Sequence, residues 1–256
     1  SIYPDVPAVF SDTGLEYPEI KKYMPDFAKG KEIIRVRPEK TFKQVIEDDG
    51  FALLSKKWAK ALRVLKEKSP KTENVRKLHL TGINTSGNKS NGWKLPEKYH
   101  SLIDADIKIS EKCCDHLKKA PFINYEKETG RKPFSGSLAS EGGNRKFSTQ
   151  QCNAFETSRP ISNPLLFWEE EDIWDFADMK GIRFADIYYE RVNEEGVTLE
   201  AETRTGCMFC MFGVQLEEGQ NRFQRMYKSH PRHWDTCINK LSLKEPLDLI
   251  DVKYIP

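Results

Sequence analysis

Two pairs of cysteines are the residues of this chain whose types and spacing most clearly predict chemistry. Cys113 and Cys114 are adjacent, and after 92 intervening residues Cys207 and Cys210 form a C-x-x-C motif. Four soft thiolate ligands select zinc or an iron–sulfur cluster. Free cysteines that pack as small hydrophobic side chains are the alternative interpretation. The pairing therefore predicts a metal or cluster site on these four thiols.

A lysine near the first pair extends this prediction. Ser110 is a typical helix N-cap residue, so a helix is predicted to begin at Glu111 and to carry both adjacent cysteines. Lys118 then stands one turn after Cys114 and can offset the negative charge of four thiolates. The alternative is that Lys118 and Lys119 lie on the solvent-facing side of the helix.

Three further segments contain residues suited to binding a charged ligand. Arg145, in a glycine-rich stretch, and Arg204, near Gly206, can each bind phosphate or sulfate through two hydrogen bonds, although either could be a solvated surface arginine. The third segment is the turn after the first predicted strand, because open α/β sheets bind ligands at the carboxyl ends of their strands. An ordinary strand-to-helix turn is its alternative. The residues of this turn are Ser11, Asp12, Thr13 and Gly14.

The order of the predicted elements indicates the fold that would position these residues. Strands and helices alternate at the start of the chain. This alternation predicts an α/β fold, in which a mostly parallel sheet is flanked by helices and an irregular helical C-terminal region follows. The predicted elements are strands at 7–12, 32–36, 78–83 and 134–138, and helices at 18–29, 42–49, 58–68 and 169–179, with one more from 111.

The chain is predicted to form a single domain over residues 1–256. Within it, residues 71–99 are rich in Ser, Gly and Asn and are predicted to form a polar loop insertion. Residues 214–256 are predicted to form a basic and aromatic C-terminal extension. In its stretch 221–234, basic and aromatic side chains alternate, a composition that is typical of single-stranded nucleic-acid binding. The polar loop at 85–92 is a second candidate contact for nucleic acid. An amphipathic helix with its aromatic residues in the core is the alternative.

Composition limits the class of protein. At 256 residues, with 38% hydrophobic and 31% charged residues, the chain suits one large globular α/β domain. Its net charge of +2 gives no global argument for nucleic-acid binding, and no apolar run approaches the roughly 20 residues that span a bilayer. Six cysteines and the absence of a signal-peptide pattern predict a reducing, cytoplasmic location.

Together these motifs resemble one family. The C-C…C-x-x-C pattern with Lys118 resembles the iron–sulfur branch of the adenylylsulfate and phosphoadenylylsulfate (PAPS) reductase family, within the adenine-nucleotide alpha-hydrolase (N-type ATP pyrophosphatase) superfamily. Residues 10–19 resemble the family's second-strand nucleotide loop, and 136–145 resemble A-x-E-S-x-x-R with Gly142 in place of serine. Residues 162–174 resemble S-x-P-L-x-x-W-x-x-x-D-I-W, and 204–213 complete the set.

The resemblance implies cofactors and site residues. It implies a [4Fe–4S] cluster on the four paired cysteines, with zinc as the minor alternative, and ATP or an adenylylsulfate-type nucleotide at residues 11–14. It also implies Lys118, Arg145 and Arg204 as catalytic residues. Cys152 and Cys237 lie outside the pattern and are predicted to be buried or half-buried thiols, although Cys152 could serve as a redox or persulfide carrier.

Three functional hypotheses follow from the resemblance. Reduction of adenylylsulfate or PAPS to sulfite uses a thiol reductant protein and a cysteine in a C-terminal E-C-G-L-H motif, and no cysteine follows Cys237 here. Adenine-nucleotide-dependent sulfur transfer, with a sulfur donor and with DNA or tRNA as candidate acceptor, needs no such motif and is favoured. A cluster-bearing binding protein without activity is the third hypothesis.

One family motif is absent from the sequence. The family carries an S-G-G-x-D-S phosphate loop after its first strand, and this sequence contains none. That strand is central in the family's sheet, so its loss would leave two rows of backbone groups unpaired. We therefore expect that the sequence is N-terminally shortened or that another segment supplies the strand. A family member with altered nucleotide binding is the alternative.

Overall fold

The computed structural model describes residues 5–28, 32–141, 151–193 and 196–256. The chain forms two compact units. The larger unit contains Ser1–Pro121 and Asp186–Pro256, and the smaller unit contains Phe122–Ala185. Two compact units can belong to one domain, so the single domain over residues 1–256 stays a prediction.

The larger unit begins with a β-α-β unit, in the order predicted. Strand β1 (Ala8–Ser11) pairs in parallel with β2 (Ile33–Val36) along all four residues of each strand. Helix α1 (Pro18–Ala28) lies between them in the chain. The N–H of Asp12 continues the pairing by donating to Val36 O at 2.9 Å. The turn after β1 therefore leaves from the carboxyl end of a parallel pair.

Two capped helices follow. Helix α2 (Phe42–Asp48) begins after Thr41, which exchanges hydrogen bonds with Gln44 in a capping box. Helix α3 (Lys56–Glu67) begins after Ser55, whose hydroxyl caps its first turn. Both helices confirm the predicted ones to within two residues at each end. Helix α3 buries its apolar face, which consists of Ala59, Ala61, Leu62, Val64 and Leu65.

The stretch 71–99 contains a helix in addition to loop. Helix α4 (Glu73–Thr81) packs against α3. The strand predicted at 78–83 is therefore wrong. The apolar–polar–apolar order of residues 78–80 is typical of a strand with one buried face. In the structure the polar His79 is buried instead, while Leu80 is 42% exposed.

The helix that carries the adjacent cysteines contains a π-helical turn. After the short helix α5 (Ser101–Asp104), the chain becomes helical at Cys113. It then forms a π turn over Asp115–Lys119 and continues as α6 (Ala120–Thr129). The Ser110 hydroxyl accepts a hydrogen bond from the backbone two residues later, just before the helix begins. Such π turns are rare and often mark functional sites.

The smaller unit has few regular elements. Strand β3 (Asn153–Ala154) pairs antiparallel with β4 (Ile161–Ser162). Helix α7 (Glu170–Met179) confirms the helix predicted there. The strand predicted at 134–138 is wrong, because pairing there is limited to one parallel bridge at Phe134.

The remaining elements of the larger unit are short. Strands β5 (Arg191–Val192) and β6 (Thr198–Leu199) pair antiparallel. Helix α8 (Arg222–Ser229) begins after Asn221, which forms a capping box. The other elements are α9 (Pro231–Asp235), a π turn (Thr236–Lys240), α10 (Lys244–Asp248) and the 3-10 helices Pro70–Thr72, Asn91–Trp93, Glu97–Tyr99, Asp186–Tyr188 and Val214–Leu216.

The described residues form a mixed α/β structure with small sheets. They contain three two-stranded sheets, of which one is parallel, and isolated parallel bridges join Phe51 to Ile109 and Leu54 to Phe212. The α/β class agrees with the prediction, whereas the predicted mostly parallel sheet is not shown by these pairings. Among the described helices, none is both long and apolar enough to cross a membrane.

Candidate active site

The turn after β1 is joined to the cysteine-bearing helix. Ser11 ends β1 and is buried, and its hydroxyl donates to Leu117 O at 3.1 Å. Leu117 lies in the π turn, between Cys114 and Lys118 in sequence. The end of the strand and the first cysteine pair therefore lie together, although 106 positions separate Ser11 from Leu117 in the chain.

The turn after β1 is followed by a half-buried carboxylate, that of Glu16. The Thr13 hydroxyl donates to Glu16 Oε1 at 2.5 Å and accepts from Leu15 N at 3.2 Å. Gly14 has a φ of +81°, which favours glycine, and no atom lies within 4 Å of the position of a Cβ there. Glu16 Oε2 is buried and has no hydrogen-bond partner among the described residues. The sequence analysis missed Glu16, although its T-x-x-E spacing from Thr13 is a capping signal.

Two cations surround Asp12 in the same turn. Lys21 Nζ lies 3.4 Å from Asp12 Oδ1, and Arg37 Nη2 lies 3.6 Å from Oδ2. Arg37 is 75% exposed, so its guanidinium can leave the carboxylate at little cost. Positive charge beside a strand end suits the phosphates of a nucleotide. Neither Lys21 nor Arg37 is among the residues predicted from the sequence.

The four paired cysteines are free, half-buried thiols of the larger unit. Burial raises the pKa of Cys113, and Cys114, Cys207 and Cys210 raise it further, because neighbouring thiolates would repel one another. Burial raises the pKa of Cys207 to about 11, an effect that Lys118 opposes. The structure therefore brings the four predicted ligands close enough to interact electrostatically.

Lys118 lies among these thiols. Burial alone would lower its pKa, but the thiols, Cys207 most strongly, favour the charged form and hold the pKa above its ordinary value. Lys119, by contrast, is exposed and pairs with Asp115 at 2.7 Å. The structure places Lys118 beside the cysteines, and its catalytic role stays a prediction.

Hydrogen bonds hold the C-x-x-C loop from two sides. The buried Met208 donates its N–H to Leu15 O, in the turn after β1, at 2.8 Å. Arg222, at the start of α8, donates from Nη1 to Cys210 O at 3.1 Å and from Nε to Glu217 at 2.5 Å. The loop that presents the second cysteine pair is therefore fixed both to the turn after β1 and to α8.

A site for a single metal ion is not formed by the described residues. Within 5–28, 32–141, 151–193 and 196–256, no three His, Cys, Asp or Glu side chains are arranged to hold one ion. A single zinc draws its thiolates to about 2.3 Å. A [4Fe–4S] cluster is larger than one ion and therefore holds its four cysteines further apart. Four neighbouring thiols with a lysine fit such a cluster chemically, and the ligation itself stays a prediction.

The other predicted site residues lie in different environments. Arg204 is exposed. Arg145 and Gly142 fall in residues 142–150, outside the described residues. Cys152 is half-buried in the smaller unit, whereas Cys237 is fully buried in the larger one. Burial raises the pKa of Cys237 to about 12, which makes its thiol a poor nucleophile near neutral pH.

A partly buried ionic network fixes the start of α1, and the sequence analysis did not identify it. Glu19 accepts hydrogen bonds from Arg191 Nη2 at 3.1 Å and His230 Nε2 at 3.2 Å. Burial opposes ionisation of Glu19, but the hydrogen bond with His230 and the charge of Arg191 outweigh it and lower the pKa of the carboxyl. His230 also packs edge-on against Tyr17, with ring centroids 5.6 Å apart. The network therefore ties the end of α8 to the segment that follows the β1 turn.

This network gives a pH-dependent prediction. Glu19→Gln is expected to lower the free energy of unfolding at pH 7 by about 1–2 kcal/mol, because its half-buried partners lose an ionised acceptor. A carboxyl whose pKa is lowered on folding contributes stability above its unfolded pKa, and the contribution is lost as the pH falls through the folded pKa. The deficit should therefore shrink below about pH 4. Urea unfolding between pH 3 and pH 7 measures it, with the exposed Glu39→Gln as control, and a pH-independent deficit would contradict the assignment.

One family model matches the chain. It is described as phosphoadenosine phosphosulfate reductase domain, and it covers residues 1–212. The match contains the turn after β1 and both cysteine pairs, and it ends before α8. A search of curated proteins finds no match.

Proposed function

The chain belongs to the phosphoadenosine phosphosulfate reductase domain family, and on that premise we propose that it is an enzyme of adenine-nucleotide-dependent sulfur transfer. Membership supports a nucleotide-related sulfur-transfer or reductase role. We further propose that ATP or an adenylylsulfate-type nucleotide binds at the turn after β1, and that the two cysteine pairs hold a [4Fe–4S] cluster. The proposed nucleotide-binding residues are Ser11, Asp12, Thr13 and Gly14.

One observation carries this proposal. The turn after β1 is hydrogen-bonded to both cysteine-bearing segments, through Ser11 Oγ to Leu117 O and through Met208 N to Leu15 O. A nucleotide at that turn would therefore lie next to the four thiols and Lys118. Enzymes gain most from groups that are held in place before the reaction, and these two bonds provide such positioning.

The residues divide into roles by their charge and exposure. A bound cluster would supply redox-active, sulfur-binding iron at the thiols. Lys118 would hold positive charge beside them, where negative charge develops on sulfur. The exposed Arg204 can bind an oxyanion of the substrate through two hydrogen bonds. The same role is proposed for Arg145.

The proposed reaction has three steps. An acceptor oxygen attacks the α-phosphorus of ATP, so that pyrophosphate leaves and an adenylated acceptor forms. The terminal sulfur of a persulfide donor then displaces AMP, which leaves with the former acceptor oxygen, and a thiol reductant cleaves the S–S bond that still joins the acceptor to the donor. We propose nucleic acid, either DNA or tRNA, as the acceptor.

The competing reaction, thiol-dependent reduction of adenylylsulfate to sulfite, needs a cysteine that can reach the substrate sulfur. Cys237 follows the second pair, is 0% exposed and donates its thiol to Trp234 O at 3.3 Å. This burial disfavours Cys237 as the nucleophile of such a reductase.

The two reactions are separated by their products. With ATP, a persulfide donor and nucleic acid, the protein is expected to release pyrophosphate in proportion to the sulfur incorporated. With adenylylsulfate and thioredoxin but no ATP, it is expected to release no sulfite. Thioredoxin-dependent sulfite release that is lost in Cys237→Ser would overturn the proposal and identify a reductase.

A further inference from the structure

Basic residues are concentrated in one segment of the chain. Residues 56–100 contain 12 of the 41 Lys and Arg residues and 3 of the 39 Asp and Glu residues. This 45-residue segment therefore carries a net charge of +9, while the other 211 residues together carry −7. The small net charge of the whole chain conceals this separation, which is a sign of a polyanion-binding surface.

Most lysines of this segment are exposed and lack a carboxylate partner in the described ranges. Eight of them are exposed, and none has a carboxylate within 4.0 Å among the described residues. They lie on α3, on α4 and on the loops that flank α4. We call this set the lysine surface; its members are Lys56, Lys57, Lys60, Lys68, Lys71, Lys77, Lys89 and Lys98.

Two other cations of the segment contribute to its structure. Lys66 Nζ donates to the carbonyls of residues 102, 103 and 105 at 2.6–3.2 Å. Arg63 pairs with Glu67 and Glu111 at 3.1 and 2.7 Å. Because these contacts fix α3 to its surroundings, the three members of the lysine surface on this helix, Lys56, Lys57 and Lys60, are held on a buttressed element, which limits the ordering entropy of binding.

Lys57 also links α3 to the loop that follows α4. Lys57 Nζ lies 4.4 Å from the ring centroid of Trp58 and 4.8 Å from that of Trp93, and it hydrogen-bonds Gly92 O. Trp93 is 48% exposed. The loop therefore presents an aromatic side chain next to the lysines, in a position to contact a base or sugar.

In the described part of the chain, the basic stretch at 221–234 has fewer cations without a carboxylate partner than the lysine surface has. Arg222 and Arg225 pair with Glu217 and Glu202, and His230 contacts Glu19, all at 3.2 Å or less. A phosphate at any of these would have to displace a carboxylate. The lysine surface has no such competitor among the described residues.

We propose that the lysine surface binds the phosphate backbone of a nucleic acid. This inference rests on the proposed function in one respect, since the bound nucleic acid would be the sulfur acceptor. All eight members are lysine rather than arginine, so they act as point charges and lack the fork that reads guanine edges. Binding through them is therefore largely independent of base sequence and serves to position the acceptor.

An anionic membrane is the competing partner for a lysine-rich surface. A helix that binds membranes also presents an apolar face to the lipid. The apolar face of α3 is instead buried within the protein, at Ala59, Ala61, Leu62, Val64 and Leu65. Charge without an inserting face favours nucleic acid, whose binding needs only phosphate contacts.

The test compares two charge-matched variants. Lys56→Glu, Lys71→Glu and Lys77→Glu together remove three members of the lysine surface. The control combines Lys22→Glu, Lys127→Glu and Lys253→Glu, which are exposed outside it and change the total charge equally. Binding of labelled duplex DNA, single-stranded DNA and an RNA hairpin is measured by fluorescence anisotropy over a range of salt. Circular dichroism checks the fold, and the corresponding Lys→Gln triple replaces the first variant if it does not fold.

The surface variant is expected to lose at least about tenfold in affinity near 0.1 M salt, and its log–log salt slope should be shallower by about 2–3. The control should stay within about twofold of wild type. Equal losses in both variants, a surface variant that binds like wild type, or wild-type binding to phosphatidylserine vesicles but not to nucleic acid would each overturn the inference. Nucleic-acid binding without pyrophosphate release would leave the inference standing and refute the proposed function.

Discussion

Protein purified without oxygen is expected to carry about four irons per chain and to absorb broadly near about 400 nm, as cysteine-held [4Fe–4S] clusters do. Cys113→Ser and Cys210→Ser are each expected to remove both signals. Burial raises the pKa of Cys113 and its three thiol neighbours raise it further, so the four sulfurs interact electrostatically, and each belongs to the proposed ligand set. A hydroxyl in place of a thiolate is a poor ligand for iron.

Loss of the cluster should also lower the stability of the larger unit. Four neighbouring thiols gain binding energy only when folding brings them together, so metal binding and folding are coupled. Iron content, absorbance and the temperature of unfolding are measured on the same samples. Cys152→Ser is the matched control, because Cys152 is another half-buried thiol but lies outside the four. Stoichiometric zinc without iron, or iron that survives Cys113→Ser, would contradict the cluster.

Lys118→Met is expected to lower the rate of sulfur transfer by about 10²-fold or more, the usual effect of removing one group that stabilises developing charge in a water-poor site. Lys118 is half-buried and interacts electrostatically with three thiols. Methionine keeps most of the length of the side chain and removes its charge. The expected loss is therefore mainly in kcat, with a smaller change in KM.

Lys119→Met is the matched control for this experiment. Lys119 is the next residue in the same π turn, but it is 56% exposed and pairs with Asp115 on the surface. Surface ion pairs contribute about 0–1 kcal/mol, so this variant should keep its rate within about twofold. Pyrophosphate release and iron content are measured for both variants. Equal rates for the two variants at equal iron content would show that Lys118 has no part in the reaction.

The cysteine and Lys118 variants are expected to change different measured quantities. Removing a cysteine tests whether the sulfurs bind iron, and the outcome is read from metal content alone. Removing the Lys118 charge leaves all four sulfurs in place, so iron should remain while the rate falls. A Lys118→Met protein without iron would instead assign Lys118 to cluster retention, because the charge would then offset the thiolates during assembly.

Several local features of the fold could be predicted from sequence because short-range chemistry specifies them. The capping pair Thr41 and Gln44 and the cap Ser55 set the starts of α2 and α3 without help from distant residues. The strand predicted at 78–83 failed for the opposite reason. Packing of α4 against α3 buries His79, and a tertiary contact of this kind overrides a short alternating pattern.

The sequence by itself determined which residue types are candidates for the site, since paired cysteines followed by a lysine have few other uses in chemistry. Only the tertiary structure decided that the turn after β1 touches both cysteine segments. The bond from Ser11 to Leu117 joins residues 106 positions apart, and no local pattern specifies such a contact. The contacts of Arg222 with Cys210 and of Glu19 with His230 could not be predicted for the same reason, because these partners come near only when the chain is folded. Long-range packing and electrostatics fix these contacts. The spacing of residues in the sequence specifies only contacts within one helix or turn.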